Sequence, residues 1–313
     1  MLHKKLEDLN ILDNFMFNEL LDYDEKEGVK VCRYMLRTIL QKDYKKIRIM
    51  TQKNIAGVTP KNHGIRLDAY IEASDEDLTD ETSEESEVSI SSDIFDIEPN
   101  KYQAHNEAKR TRYYHSLIDT KVLKSGIHYE KLQNVAVIMI LPYDPFGKNR
   151  MVYTIKSKCI EDGTIGYDDG LTTIYLYTKG TEGNPSQELK DMLKYIENST
   201  EENAVNEDLA AMHGLINRIK HDGEVGVRYM QSWEREAMVR EEGYKDGFSE
   251  GKFQGELQGK IKSILELLQD IGPIPDDLSN TIQMETDTNK LSVWNKLAAK
   301  SENIEMFREK AGI

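Results

Sequence analysis

Apolar residues recur at two different periods along the first part of the chain, and each period predicts a different element. Within residues 14–40 they are spaced three and four apart, which predicts two amphipathic helices interrupted near residues 22–28. Within residues 64–72 apolar and polar positions alternate, which predicts a half-buried strand. Residues 90–98 have the same period of two and are predicted to form a second strand, which ends at Pro99 because proline has no N–H for a sheet hydrogen bond.

The middle of the chain continues this mixture of helix and strand. A helix is predicted for residues 107–123, and the uninterrupted apolar run Val135–Leu141 indicates a buried strand. Two further strands are predicted at residues 151–155 and 174–178. Strands interleaved with helices on a chain of this length indicate an α/β or α+β domain. We expect this domain to occupy residues 1–184.

The remaining residues, 185–313, are predicted to form a helical C-terminal region with a glycine repeat at residues 243–259. The repeat consists of five glycines spaced by four: Gly243, Gly247, Gly251, Gly255 and Gly259. A glycine inside a helix costs about 1 kcal/mol relative to alanine, so five in register need a compensating gain. Close packing against the same helix of a second subunit, giving a homodimer, is one explanation. A frayed, solvated linker is the other.

The formal net charge of −15 is concentrated in one segment. Residues 72–98 contain 12 Asp or Glu and no Lys or Arg, so the remaining chain is nearly neutral at −3. Residues 73–92 are mostly Ser, Thr, Asp and Glu, which cannot bury enough apolar surface to order themselves, and a disordered acidic insertion is predicted there. The net charge does not exclude a polyanionic partner, because charge repulsion extends only about 8 Å at physiological salt.

Composition and cysteine usage exclude several classes of protein. The longest apolar run has seven residues, and residues 1–14 lack the features of a secretory signal, so we expect a cytoplasmic protein without membrane contact. Cys32 and Cys159 are the only cysteines, which excludes a disulfide framework and a zinc module. Both are expected to be buried thiols.

Two acidic residues on the predicted strands are candidates for a metal site. Asp68 lies in the middle of the first strand and Glu98 at the end of the second, so their carboxylates meet if the strands pair. Two adjacent carboxylates suit Mg²⁺, which keeps several waters and takes further oxygens from a substrate phosphate. On spacing alone the signal is weak, because acids on strands are more often solvated. Asp96 shares the face of Glu98 and is expected to be an exposed polar position rather than a ligand.

A basic helix follows the second strand. Residues 101–124 carry six Lys or Arg against two Asp or Glu. The residues predicted to contact DNA are Lys101, Lys109, Arg110, Arg112 and Tyr113. Tyr113 and Tyr114 cannot both face the core of one helix; the alternative to a DNA contact is that one is buried and the other lies at the rim. His115 is expected to be a packing or surface residue. A carboxylate pair beside a basic helix is the arrangement that a nuclease needs.

Six short motifs occur in a fixed order along residues 12–180. They read LDNFMFNEL, GIRLDAYIE, IFDIEPN, KRTRYYHSLID, LPYDPFG and YTIKSKC. With these motifs the chain resembles the recombination-promoting nuclease and putative transposase family of the PD-(D/E)XK superfamily. The resemblance implies a restriction-endonuclease-like mixed sheet flanked by helices. It also implies that Asp68 and Glu98 are metal ligands, for Mg²⁺ or for Mn²⁺ in its place.

The chain departs from this family at three points. Two residues after the metal-binding Glu the family usually has Gln, and the wider superfamily has a Lys that orients the attacking water. Here that position is Asn100, which keeps the amide and is one methylene shorter. The acidic insertion stands where the family commonly has a short turn, and His115 stands where relatives tend to have Gln. The resemblance makes Asn100 the third candidate catalytic residue.

Three functions are compatible with these observations. The leading hypothesis is a Mg²⁺-dependent DNA endonuclease associated with transposition or recombination. The alternative is a catalytically impaired homologue that acts as a DNA- or protein-binding module, and Asn100 is the residue that favours it. A structural assembly protein is the third, and it depends on the glycine repeat and the helical tail alone.

Overall fold

The structure is a computed structural model that describes residues 4–59, 61–75, 93–103, 106–123 and 125–313. It contains two compact units, Met1–Tyr229 and Met230–Ile313. Most of the predicted acidic insertion lies outside the described residues, so its disorder stays a prediction. Ala73 and Ser74, at its beginning, belong to a strand.

The first unit is a mixture of helices and strands, as the sequence predicts. Its helices are α1 (Asn14–Asp22), α2 (Glu25–Leu40), α3 (Glu107–Val122), α4 (Gln187–Glu197) and α5 (Glu207–His221). Its strands are β1 (Lys46–Ile55), β2 (Ile65–Ser74), β3 (Asp93–Pro99), β4 (Val135–Leu141), β5 (Val152–Ile155) and β6 (Leu171–Tyr177). A long helix, α6 (Gly223–Gln269), leads the chain into the second unit, which continues with α7 (Asp276–Met284), α8 (Thr288–Ala298) and α9 (Ile304–Ala311).

The six strands form one mixed sheet in the order β1-β2-β3-β4-β6-β5. The pairs β1–β2, β2–β3 and β5–β6 are antiparallel, whereas β3–β4 and β4–β6 are parallel. The α3 helix lies in the connection between the parallel strands β3 and β4, which cannot be joined by a tight hairpin. The predicted α/β class, with a helical C-terminal region, is therefore confirmed.

Each face of the sheet is covered by a separate apolar core. The central strand β4 is buried along its whole length, which agrees with its uninterrupted apolar sequence. Its odd-numbered residues, such as Val137 and Met139, pack with Leu117 and Ile118 of α3. Its even-numbered residues, such as Ile138 and Ile140, join the core formed with α1, α2, α4 and α5. The α3 helix therefore lies on one face and the other helices of this unit on the opposite face.

The first unit extends beyond residue 184, the boundary expected from the sequence. Leu193 of α4 and Ile216 of α5 are buried in the same core as the sheet. These helices are amphipathic, and the nearest apolar surface that can cover their stripe is the α1–α2 face of the first unit. The compact unit therefore runs to Tyr229, and the second unit has its own core around Leu268, Trp294 and Phe307.

The glycine repeat lies in α6 and faces open space. Apart from the helix's own backbone, no described atom lies within 4 Å of the position that a Cβ would take at any of the five glycines. Tyr244 and Phe248 in the same segment are exposed. The close helix packing predicted for the glycines is therefore not made within the described chain, and a contact with a second subunit stays a prediction.

Two smaller expectations have different outcomes. Cys32 is buried in α2, as predicted, but Cys159 is half-exposed, so the prediction of a buried thiol is wrong at that position. Cys159 follows β5 in a segment outside both cores of the sheet. Among the described helices, none combines the length and the apolar character that crossing a bilayer requires.

Candidate active site

Antiparallel pairing of β2 with β3 brings Asp68 beside Glu98. Ala69 is paired with Ile97, so Asp68 and Glu98 occupy the next position of the same ladder. The backbone N–H of Asp68 donates a hydrogen bond of 2.7 Å to Oε1 of Glu98. Both side chains are almost completely buried, with exposed fractions of 4% and 2%. The structure therefore brings together the two carboxylates that the strand pattern placed on one face.

The two carboxylates line an open cleft of about 680 Å³ on the α3 face of the sheet. The β1–β2 turn contributes His63 and Gly64 to its walls, and Asn14 comes from the first turn of α1. Two guanidinium groups also line it, Arg66 from β2 and Arg110 from α3. A buried acidic floor with cationic walls can accept a ligand that carries both a cation and an anion.

Burial disfavours the ionised forms of the Asp68 and Glu98 carboxyls. It raises the pKa of Asp68 to about 6, although the Gln52 amide and the Arg66 and Arg110 charges oppose the shift. Burial, and then the charge of Asp68, raises the pKa of Glu98 to about 8. Negative charge at this floor is therefore under-compensated, and an added cation would favour the ionised forms of both groups.

Asp96 lies on the same face of β3 as Glu98 and is completely buried. The expectation of an exposed polar position is wrong, because this face of β3 is covered by the core that includes Tyr114 and Leu117 of α3. Neither oxygen of Asp96 has a hydrogen-bond partner among the described residues. Burial, followed by the charges of Glu98 and Asp68, raises the pKa of Asp96 well above its ordinary value.

Gln52 of β1 does not line the cleft but contacts Asp68 at its floor, and the sequence did not indicate this contact. Its side-chain amide donates a hydrogen bond of 3.2 Å to Oδ1 of Asp68. Its φ is +49°, a left-handed conformation that is uncommon for a residue with a Cβ. Such strain persists where the surrounding structure imposes it, and it clusters at functional sites. Nothing in the local pattern of β1 indicates this contact, because it joins residues sixteen positions apart.

Arg110 is paired with Glu98 rather than standing free on the helix surface. Its Nη2 lies 3.2 Å from Oε2 of Glu98, and its Nε and Nη2 donate to the Tyr114 hydroxyl at 3.0 and 2.9 Å. The sequence placed Arg110 among the phosphate contacts. The structure places it in the wall of the cleft, where its charge offsets part of the charge of Glu98.

Asn100 and Lys101 follow Glu98 and make contacts elsewhere. The Asn100 amide nitrogen donates to the Tyr143 hydroxyl at 3.3 Å, and its amide oxygen accepts from the backbone N–H of Tyr102 at 3.1 Å. Lys101 forms an ion pair of 2.5 Å with Asp13. Neither residue is among the described residues that line the cleft. The water-orienting role of Asn100 and the DNA contact of Lys101 stay predictions.

The other predicted DNA contacts lie on α3. Lys109 and Arg112 are exposed. Tyr114 is buried, whereas Tyr113 is half-buried and donates its hydroxyl to the backbone carbonyl of His63. The two tyrosines therefore adopt the arrangement with one buried and one at the rim. Tyr113 lies next to a residue that lines the cleft.

The residues present fit a hard divalent cation only in part. Among the described residues no group of three or more His, Cys, Asp or Glu is arranged to hold a metal ion. Asp68 and Glu98 supply two carboxylates, and Mg²⁺ commonly takes one or two from the protein and completes its shell with water and phosphate oxygens. The buried carboxyl of Asp96 lies on the same face of β3 as Glu98, but its raised pKa favours the neutral form, so it is not counted as a ligand. The donor set therefore suits Mg²⁺ or Mn²⁺ held together with a substrate.

Comparisons with family models, with curated proteins and with solved structures found no match to this chain. The family resemblance therefore depends on the six motifs alone. What the chain does is argued below from the geometry of the cleft.

Proposed function

We propose that this protein is a metal-dependent DNA endonuclease of the PD-(D/E)XK type. The observation that carries the proposal is the carboxylate pair of Asp68 and Glu98 at the floor of an open cleft whose walls hold Arg66 and Arg110. The mixed sheet flanked by helices is the architecture that the resemblance leads us to expect. An association with transposition or recombination follows from the resemblance alone.

Four residues in or next to the cleft have distinct tasks in this proposal. Asp68 and Glu98 would hold Mg²⁺ or Mn²⁺, and the bound ion would polarise a phosphate oxygen and supply a water of lowered pKa. The Gln52 amide fixes the orientation of Asp68 through its hydrogen bond to Oδ1. Arg110 holds a positive charge against Glu98 and lies where a phosphate in the cleft would meet it.

The alternative is a catalytically impaired homologue that binds DNA or a protein. The observation that favours it is the position of Asn100, whose amide bonds Tyr143 and the Tyr102 backbone. A nuclease that uses Asn100 to place the attacking water would need this amide to reach the cleft. The two functions share the carboxylate floor and differ in whether the cleft hydrolyses DNA.

The decisive experiment is cleavage of supercoiled plasmid DNA by the full chain. Reactions contain Mg²⁺, Mn²⁺ or EDTA and compare wild type with Asp68→Asn and Glu98→Gln. Each substitution removes a ligand charge at nearly constant volume, and we expect about a hundredfold loss of rate or more. Glu72→Gln is the matched control, because Glu72 lies on β2, is largely buried and does not line the cleft.

The outcomes separate the two functions. Metal-dependent nicking by wild type and Glu72→Gln, lost in both cleft variants, supports the endonuclease. Full activity of Glu98→Gln contradicts the metal site. A wild-type chain that binds DNA and is inert with either metal supports the binding module instead.

We also propose that α6 mediates a homodimer through its glycine face. The support is that five glycines at a spacing of four have open space on their Cβ side, in a segment with exposed Tyr244 and Phe248. Because that space is open, leucine at Gly247, Gly251 and Gly255 fits the single chain and would obstruct only a partner helix. Sedimentation should show a dimer for wild type and a monomer for the triple variant; a wild-type monomer contradicts the proposal.

A further inference from the structure

A second opening lies on the other side of α3 from the cleft. It is an open pocket of about 420 Å³ between α3, β6 and the end of β5. Successive helix residues turn by about 100°, so the α3 residues that line the pocket lie on the side opposite Arg110. These are Ala108, Thr111, Arg112, His115, Ser116 and Asp119.

The sheet side of this pocket is apolar and partly aromatic. Leu171 and Tyr175 contribute from one face of β6, and Ile155 contributes from the end of β5. Phe146 lines the pocket with its ring 40% exposed and packs edge-on against Tyr175 at a centroid distance of 5.1 Å. A flat apolar ligand finds here the surface that aromatic rings prefer.

The helix side is polar where a packing face would be apolar. His115 is 6% exposed, and its Nε2 lies 2.9 Å from the Thr173 hydroxyl. Its Nδ1 has no hydrogen-bond partner among the described residues, and neither has Oδ1 of Asp119, one helical turn further on. Buried polar atoms without partners are costly and rare in folded proteins. Both belong to residues that line this pocket, so a ligand that enters it and displaces neighbouring side chains would satisfy them.

The protonation states define what these atoms offer. Burial lowers the pKa of His115 to about 4, so the imidazole is neutral near pH 7 and its Nδ1 is one donor or one acceptor according to the tautomer. Burial, and then the charge of Asp169, raises the pKa of Asp119 to about 6. Near neutral pH Asp119 is chiefly an acceptor. The helix side thus presents two adjacent hydrogen-bonding groups without a fixed positive charge.

Positive charge is confined to the rim of the pocket. Arg112 and Lys156 are both exposed, and neither forms an ion pair with any residue that the structure describes. An anionic group at the mouth would meet both side chains while an uncharged body occupied the interior.

We propose that this pocket binds a single nucleotide, with the base inside and the phosphate at Arg112 and Lys156. The base of a nucleotide is planar and aromatic, which matches the apolar floor of the pocket. The edge of the base carries hydrogen-bond donors and acceptors, which match the polar helix side. The phosphate of the nucleotide is anionic, which matches the positively charged rim. The preference for a nucleotide over other planar anions rests on the proposed function, which places DNA at this face of the sheet.

The bound nucleotide is either a free mononucleotide or an unstacked nucleotide of a DNA strand that the protein binds. In the second case the strand would cross α3 between the cleft and the pocket, a width of about 10 Å. Base extrusion of this kind carries an unstacking cost, which an apolar pocket with matched polar groups offsets.

Binding is measured in EDTA on full-length Asp68→Asn, so that the result does not depend on cleavage. The free probe is deoxyadenosine 5′-monophosphate, followed by isothermal titration calorimetry. The strand probe is a single-stranded oligonucleotide with one 2-aminopurine, whose fluorescence changes when the base leaves its neighbours. Ribose 5-phosphate tests whether the phosphate alone accounts for binding.

Two pairs of variants in that background locate the binding site. Ser116→Phe fills the pocket, and Thr120→Phe is its control: both are exposed on α3, and both hydroxyls bond a carbonyl of the same helix, but Thr120 does not line the pocket. Arg112→Gln removes a rim charge, and Lys121→Gln removes an exposed charge of α3 outside the pocket lining. We expect Ser116→Phe to weaken binding about tenfold or more and Arg112→Gln about fivefold, with both controls close to the parent.

Each outcome bears on the pocket alone. Saturable binding of the monophosphate that Ser116→Phe weakens supports the proposal with a free nucleotide as source. A 2-aminopurine signal without monophosphate binding, lost in Ser116→Phe, supports the strand as source. Equal binding of ribose 5-phosphate, equal effects of Ser116→Phe and Thr120→Phe, or no saturable binding of either nucleotide probe overturns it, whatever the plasmid assay shows.

Discussion

The cleft and the pocket lie on the same face of the sheet, on opposite sides of α3, and they differ in the side chains that line them. The floor of the cleft consists of carboxyls from paired strands, Asp68 and Glu98, with Asp96 beneath them and guanidinium groups in the walls. The floor of the pocket is largely apolar, most of its polar groups come from one face of α3, and its positive charges stay at the rim.

This difference indicates which kind of ligand each opening can hold. Carboxyls with raised pKa values lack enough positive charge around them, and a cation corrects that deficit. Nδ1 of His115 lacks a hydrogen-bond partner among the described residues instead, and an uncharged polar group corrects that. The α3 helix thus separates a site that suits a cation from a site that suits an uncharged organic group. Each site can be tested by substitutions of its own residues.

The largest effect should appear in the pH dependence of stability. Asp68 and Glu98 have native pKa values of about 6 and about 8, against about 4 in the unfolded chain. The native state therefore binds more protons from about pH 4 to 8, and its stability falls as pH rises through that window. Between pH 6.5 and 8, in EDTA, these two carboxyls should together lower the free energy of unfolding in urea by about 2 kcal/mol, nearly all of it from Glu98.

His115 of the pocket should contribute nothing to that upper window. The native pKa of His115, about 4, is below its unfolded value of about 6.5, so its contribution to stability is lost as pH falls from 6.5 to 4 and is constant above 6.5. Glu98→Gln should reduce the slope between pH 6.5 and 8 and leave the contribution of Asp96, whereas His115→Gln should leave the slope unchanged. A slope that Glu98→Gln does not reduce would assign the effect to other groups.

The next largest difference is expected between two arginine substitutions. Replacing Arg110, beside the cleft, should lower the free energy of unfolding more than replacing Arg112, beside the pocket. Arg110 is two-thirds buried and pairs with Glu98, whereas Arg112 is exposed and has no ion-pair partner among the described residues. Arg110→Ala leaves a buried carboxyl without its cation and should lower the free energy of unfolding by about 2 kcal/mol, a cost limited by proton uptake on Glu98. Arg112→Ala should change it by less than about 0.5 kcal/mol. Equal losses would mean that the ion pair is not the cause.

A smaller change, of opposite sign, is expected at Asp96. Its carboxyl is buried without a hydrogen-bond partner in the described structure, so replacing it with an apolar side chain of similar size removes a desolvation cost. Asp96→Leu should raise the free energy of unfolding by about 1 kcal/mol at pH 8, with a smaller gain at pH 5, because a raised native pKa costs more stability as pH rises. Destabilisation at both pH values would show that Asp96 has partners after all.

The smallest effect on the cleavage rate is expected from substitutions of Asn100. They test whether the Asn100 side chain acts in the cleft. Its amide bonds Tyr143 and the Tyr102 backbone, outside the cleft lining. If it stays there, Asn100→Ala and Asn100→Gln should change the metal-dependent nicking rate by less than about threefold, under 0.7 kcal/mol of barrier. If Asn100 places the attacking water, as the motif implies, the longer Gln should raise the rate by about tenfold and Ala should lower it.

The helices and strands of the first unit could be predicted from the sequence because their patterns depend on residues that are close together in the chain. The alternation in β2 and β3 put Asp68 and Glu98 on one face, and pairing of consecutive strands is the common outcome, so the carboxylate pair could be predicted. The apolar run of β4 likewise indicated a strand covered on both faces. The five glycines were visible in the same way, but what they pack against was not.

Only the tertiary structure decided the surroundings of those carboxylates. The burial of Asp96 depends on α3 covering β3, the contact of Gln52 with Asp68 depends on β1 lying at β2, and the pairing of Arg110 with Glu98 depends on the angle at which α3 crosses the sheet. The pocket beside His115 exists because β6 and β5 extend the sheet beyond α3. These features come from packing between segments far apart in the chain, and a periodicity of two or 3.6 residues contains no information about which distant segment will cover a given face.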